Sequence, residues 1–285
     1  MATHSRRIPS QCPKAILFDL DNTLIATRQG DKAACDKVGE ILVQQHGVPE
    51  NVASRIVQSF LINFRLCPAR PDGGLDEWRL MLWGHALGDQ YAHIASEIYQ
   101  QWLVLRWRFL ALQPEVKQLL VRLRERFLLA IITNGPSNAQ WEKIQQLNIS
   151  PFFDLMLVSG DLPWEKPDHR IFLEACETLG VLPADCLMVG DKLETDILGG
   201  HEASLGVTVW VPLSPASLEQ KLLSCNDNCR PDHTLKSVLD LPSVLSKDTE
   251  PPGFLKAKHG PVNRNLSRVC MFDMEDTNSN ASDGS

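Results

Sequence analysis

Five short apolar runs, each closing on a polar or glycine-containing step, limit what this chain can become. They cover residues 15–18, 127–132, 155–158, 186–189 and 207–211. Continuous runs of this length suit strands buried on both faces. Between them lie spacings such as Val116, Leu119, Leu120, Leu123 and Ile171, Ala175, Leu179, which gather apolar side chains on one helical face. Strands alternating with helices predict an α/β fold: a Rossmann-like parallel sheet covered on both sides. Working residues of such a sheet collect beyond the carboxyl ends of its strands.

Residues 27–112 break the alternation, and a stretch that long needs a fold of its own. Val38, Ile41, Leu42, then Ile56, Val57, Phe60, Leu61, then Tyr91, Ile94, Ile98, Trp102, Leu105, Phe109 all keep helical spacing. The expectation is an all-helical cap at 27–112 inserted into a core of 13–26 and 113–246. Residues 247–285 lose periodicity and are expected to form a disordered tail.

A net charge of −7 argues against a surface built for nucleic acid. Trp102, Arg106, Trp107 and Arg108 are therefore read as helix packing beside a solvated basic face. The first residues hold no apolar signal core, and nowhere do eighteen apolar residues run together, so neither secretion nor a membrane is expected. The eight scattered cysteines read as reduced thiols, which suits the cytoplasm. Cys225, Cys229 and His233 are too loosely spaced for a zinc knuckle and are assigned to a surface loop.

Four separated steps carry the chemistry. Asp19-Leu20-Asp21-Asn22-Thr23 follows the first run, and residues i and i+2 of an extended end point the same way. Two carboxylates so close call for a cation, and magnesium is the hard ion that prefers them. Thr133-Asn134-Gly135 closes the second run, offering a hydroxyl and backbone N–H groups to phosphoryl oxygens. Lys166 follows the third run, and its ammonium suits a phosphate dianion. Gly190-Asp191 closes the fourth, with Glu194 and Asp196 downstream to complete an acidic cluster.

This ordered set resembles the haloacid dehalogenase-like superfamily over about residues 14–246. The resemblance implies that Asp19 attacks phosphorus and that Asp21 protonates the leaving oxygen and then activates water. It implies that Leu20, Thr133, Asn134 and Lys166 bind the phosphoryl group. It assigns Mg²⁺ to Asp19, the backbone carbonyl of Asp21, and Asp191, with Asp196 in support. Halide departure needs no leaving-group acid, so Asp21 favours a phosphatase over a dehalogenase. The substrate implied is a small phosphorylated sugar. Other capped phosphatases, a phosphomutase, and an inactive binding protein on the same fold stay open as alternatives. Because the core steps serve any phosphate monoester, selectivity is expected from the cap, with Arg65, Arg70, His85 and His93 as candidate donors.

Overall fold

The computed structural model describes residues 13–214 and 226–245. The expected tail lies outside them, as does Cys225. Six parallel strands form one sheet in the order β3-β2-β1-β4-β5-β6. They are β1 (Ala15–Phe18), β2 (Leu128–Thr133), β3 (Leu155–Val158), β4 (Cys186–Gly190), β5 (Val207–Trp210) and β6 (His233–Thr234). The first five fall on the five apolar runs. The sixth, two exposed residues long, has no apolar pattern and was not foreseen.

Alternation within the strands sends successive side chains to opposite faces. Ile16, Phe18, Leu129, Ile131 and Val189 pack with Val116, Leu119, Leu120 and Leu123 of α5 (Pro114–Arg124) and with Ile144 of α6 (Ser137–Gln146). Ala15, Leu17, Ala130, Ile132 and Met188 pack with Ile171, Phe172 and Ala175 of α7 (His169–Leu179) on the other side. Burial on both faces explains why the strand sequences read as unbroken apolar runs.

The chain order places the site. From β1 the sheet grows through β2 and β3 to one side and through β4 to β6 to the other. β1 is thus a topological switch point, where ligands of open α/β sheets bind beyond the carboxyl ends. Phe18 is level with Ile131 and Val189, so the chain leaves β1, β2 and β4 at one edge.

The insertion forms four helices: α1 (Thr27–His46), α2 (Glu50–Phe64), α3 (Gly74–Tyr91) and α4 (Ala95–Leu110). They bury a core of their own around Val38, Leu42, Phe60, Trp83, Ile98 and Trp102. The Phe60 ring stacks on Trp83 with centroids 3.8 Å apart and meets Trp102 edge-on at 4.9 Å. Trp102 therefore packs, as expected, but the solvated face assigned to Arg106 is corrected. Arg106 is buried and its Nε donates to the buried Asp31 carboxylate of α1 at 2.8 Å. Its guanidinium also lies over Phe64, Trp102 and Trp107.

The aromatic stack generates a test. Phe60→Ala removes the ring that packs on both Trp83 and Trp102 and should lower stability by about 3–5 kcal/mol in denaturant unfolding. An unchanged unfolding midpoint would show that the stack does not hold the helical insertion together.

Candidate active site

The loop after β1 is shaped by its own backbone. Leu20 O accepts from the N–H groups of Leu24 and Ile25, and Asn22 N–H donates to Ile25 O. Asn22 sits at φ 66°, a left-handed position that asparagine tolerates better than most residues. This compact turn projects Asp19 and Asp21 from the strand end. The Leu20 side chain lies in the core below.

Lys166 is the organising cation. Its Nζ donates to Asp19 Oδ1 and to Asp196 Oδ1, both at 2.7 Å. All three side chains are buried. Lys166 is itself fixed through its backbone, because Asn134 Oδ1 accepts from Lys166 N–H and Asn134 Nδ2 donates to Lys166 O. Both ends of the Asn134 amide are thereby engaged by the Lys166 backbone.

Asp196 has a second tie, accepting the Lys192 N–H at Oδ2. A π-helical turn at Leu193–Ile197 rotates Asp196 inward and leaves Glu194 exposed. Glu194 thus stands outside the acidic cluster in which the sequence reading had placed it. Gly190 is needed at the end of β4, because a Cβ there would lie 2.2 Å from Asp196 Oδ2.

Asp19, Asp191 and Asp196 each bring a carboxylate oxygen within 4.8 Å of the others. Both oxygens of Asp191 are buried without a hydrogen-bond partner, as is the Thr133 hydroxyl oxygen. Buried polar atoms are rarely left so, and a bound ligand or ordered water completes them. A cluster of hard carboxylate oxygens fits Mg²⁺, which Asp19 and Asp191 would hold. Thr133 ends β2 at the same edge.

Burial pushes the Asp19 carboxyl up to about 7, with the nearby Asp196 and Asp21 charges adding to it and Lys166 opposing. Burial and Asp196 likewise lift Asp191 to about 6. Burial works against the Lys166 charge, but its two carboxylates outweigh this and raise it further above its usual value.

Asp21 has a different environment, and here the sequence reading missed two residues. Lys143 Nζ donates to both Asp21 oxygens, at 2.7 and 2.6 Å, and Gln140 Nε2 donates to Oδ2 at 3.0 Å. Thr27 Oγ1 donates to Oδ1. Burial would raise Asp21, yet Lys143 and these hydrogen bonds prevail and hold it at about 2.

Next to Lys143, Glu142 accepts two hydrogen bonds from the Arg79 guanidinium of α3, joining the insertion to the core. The Cys67 thiol is raised by burial and drawn down by Arg79, Lys143 and Arg106. Arg65, Arg70, His85 and His93, the donors suggested by sequence, are all exposed.

The model for "haloacid dehalogenase-like hydrolase" matches residues 13–204. The chain belongs to that family. It is 33% identical over 238 residues to the N-acylneuraminate-9-phosphatases of Rattus norvegicus and Homo sapiens, covering 81% of this chain and 93% of each relative. Glyceraldehyde 3-phosphate phosphatase of Pyrococcus abyssi is 30% identical over 204 residues, covering 69% of this chain and 80% of that protein. These relatives make the chain a phosphoric monoester hydrolase. The fold also matches a 2-haloacid dehalogenase from Pseudomonas syringae pv. Tomato DC3000, with TM-score 0.52, 24% identity, and coverage of 81% of this chain and 97% of that one. Among the described residues no helix is long and apolar enough to cross a membrane.

The raised carboxyls set a pH dependence. A carboxyl whose folded value lies above 3.8 holds a proton in the folded protein that the unfolded chain has released. Stability of the metal-free protein should therefore rise as pH falls from about 7 toward about 4. Asp21, depressed to about 2, loses its contribution only below that window. Melting temperatures across this range, with and without Mg²⁺, check the sign, and Mg²⁺ should stabilise more at pH 7 than at pH 5. A metal-free protein that weakens between pH 7 and 5 would contradict it.

Proposed function

We propose that this protein hydrolyses N-acylneuraminate 9-phosphate in the cytoplasm, with Mg²⁺ and an aspartyl-phosphate formed on Asp19. The observation that carries the chemical part is the convergence of Asp19, Lys166 and the unpartnered Asp191 oxygens at the end of β1. The substrate part rests on similarity that runs through nearly the whole length of the N-acylneuraminate-9-phosphatases.

In the first displacement an Asp19 oxygen bonds to phosphorus as the bond from phosphorus to the sugar oxygen breaks. In this reading the Lys166 ammonium neutralises phosphoryl charge and the Thr133 hydroxyl donates a hydrogen bond to a phosphoryl oxygen, which meets the main demand of such a reaction. When bound, Mg²⁺ lowers the repulsion between carboxylate and phosphate. Asp21 delivers the proton that the sugar oxygen needs, then takes one from the water that attacks phosphorus and frees Asp19. Asp21 is ionised in this arrangement, so the proton it delivers is first taken up from solvent as the phosphate dianion approaches and favours the protonated form.

Residues 27–112 act in this reading as a cap, excluding water and contacting the leaving sugar. Arg79 Nε and Arg106 Nη1 are buried without hydrogen-bond partners. Donors of this kind suit a sugar acid rich in carboxylate and hydroxyl oxygens better than the four exposed residues do.

Asp19→Asn should abolish turnover while leaving the melting temperature close to the parent's, since the volume barely changes. Substantial remaining activity would remove Asp19 as nucleophile. Mg²⁺ should support turnover and Ca²⁺ inhibit it, because the looser calcium sphere misplaces the carboxylate; equal rates with both would contradict the metal assignment. In a panel of phosphate esters, kcat/KM for N-acylneuraminate 9-phosphate should exceed that for glyceraldehyde 3-phosphate and phosphoglycolate by about 10²-fold. Preference for a small ester would reassign the substrate.

A further inference from the structure

Lys143 is a buried cation to which the proposed reaction gives no task. We propose that it is a positioning residue for Asp21, fixing the proton-carrying carboxylate toward the leaving oxygen. The inference rests on the reading that Asp21 moves that proton.

The geometry is that of a clamp. The Asp21 side chain sits on a loop and has two torsions to settle. Lys143 engages both of its oxygens, and Gln140, one helical turn earlier on α6, takes the second oxygen as well. Thr27 holds the first oxygen from the start of α1. Lys143 is 7% exposed, unlike a surface lysine that shares its charge with water. Gln140 is steadied in turn by donating to Asn134 O at 2.8 Å, and Gly135 leaves the room it needs, since a Cβ there would come within 2.6 Å of Gln140 Nε2.

The clamp has a fixed base. The Trp141 Nε1 and Ser137 hydroxyl groups both donate to Asp161 in the loop after β3, and Glu142 binds Arg79 of the insertion. Helix α6 is thus pinned before and between the two residues that grip Asp21. An acid displaced by about an ångström from its working position can cost about 10² in rate.

A positioning role and a merely structural one predict different kinetics. A sugar or other alkyl phosphate needs a proton on its departing oxygen, whereas 2,4-dinitrophenyl phosphate does not. Lys143→Met should lower kcat for the alkyl ester about 10²-fold with little change in KM. In rapid mixing, its first-turnover release of dinitrophenolate should stay close to the parent rate. Gln140→Met should show the same selectivity to a smaller degree, and it serves if Lys143→Met fails to fold. Lys143→Arg, which keeps a cation able to reach both oxygens, should recover much of the alkyl rate. Equal slowing of both substrates, or of neither, in the folded variants would overturn the proposal. Asp21→Asn separates the two levels of the argument. If Asp21→Asn shows the selective loss and the Lys143 and Gln140 variants do not, the clamp is wrong; if Asp21→Asn lacks it, the role of Asp21 itself falls.

Discussion

The ammonium of Lys166 between Asp19 and Asp196 is the contact on which the rest of the site depends. Without it, three carboxylates would face one another in a buried volume, where like charges and loss of water both favour protonation. Lys166 relieves part of that conflict and leaves the remainder on Asp191, the carboxylate with no donor. The net worth of such a buried pair to stability is small, because desolvation offsets most of the attraction. Its consequence is placement. Asn134 grips the Lys166 backbone from the end of β2, so two crossovers of the sheet are tied together at Asp19.

The two aspartates of the first loop, two residues apart, are given opposite surroundings. Asp19 shares its lysine with Asp196 and is driven upward by burial, while Asp21 has Lys143 to itself along with two further donors and is driven downward. In the metal-free protein this ordering is the reverse of an ionised nucleophile beside a protonated acid, so the proposed roles require bound Mg²⁺ to ionise Asp19 and the incoming phosphate dianion to protonate Asp21. The helix that holds Asp21 also carries Glu142, which receives Arg79 from the insertion. Contact between the insertion and the core is thereby made one residue away from the lysine that holds Asp21.

Much of this was legible in the sequence, for physical reasons. Strands buried on both faces can only be written as apolar runs, so five of six strands could be read, and the steps closing them pointed to Asp19, Asp21, Thr133, Lys166 and Asp191. β6 has neither length nor apolar content. Lys143 and Gln140 look like ordinary helix surface, yet they share a buried face with Ile144. Polar residues within an apolar stripe, directly after the Thr133-Asn134-Gly135 step, were the available signal. Arg79 and Arg106 give the same lesson, since each lies four residues from a buried tryptophan, Trp83 and Trp102. The displacement of Glu194 was not legible, because spacing alone does not reveal the π-helical turn that turns Asp196 inward.

The central claim is that Asp19 becomes covalently phosphorylated during turnover. Acid quenching of the enzyme within milliseconds of mixing with substrate and Mg²⁺, followed by peptide mass spectrometry, tests it most directly. The account predicts one phosphoryl group on the peptide containing Asp19, appearing before free phosphate and decaying as substrate is exhausted. Release of phosphate with no phosphorylated peptide at any time, or a phosphoryl group on a different residue, would contradict it.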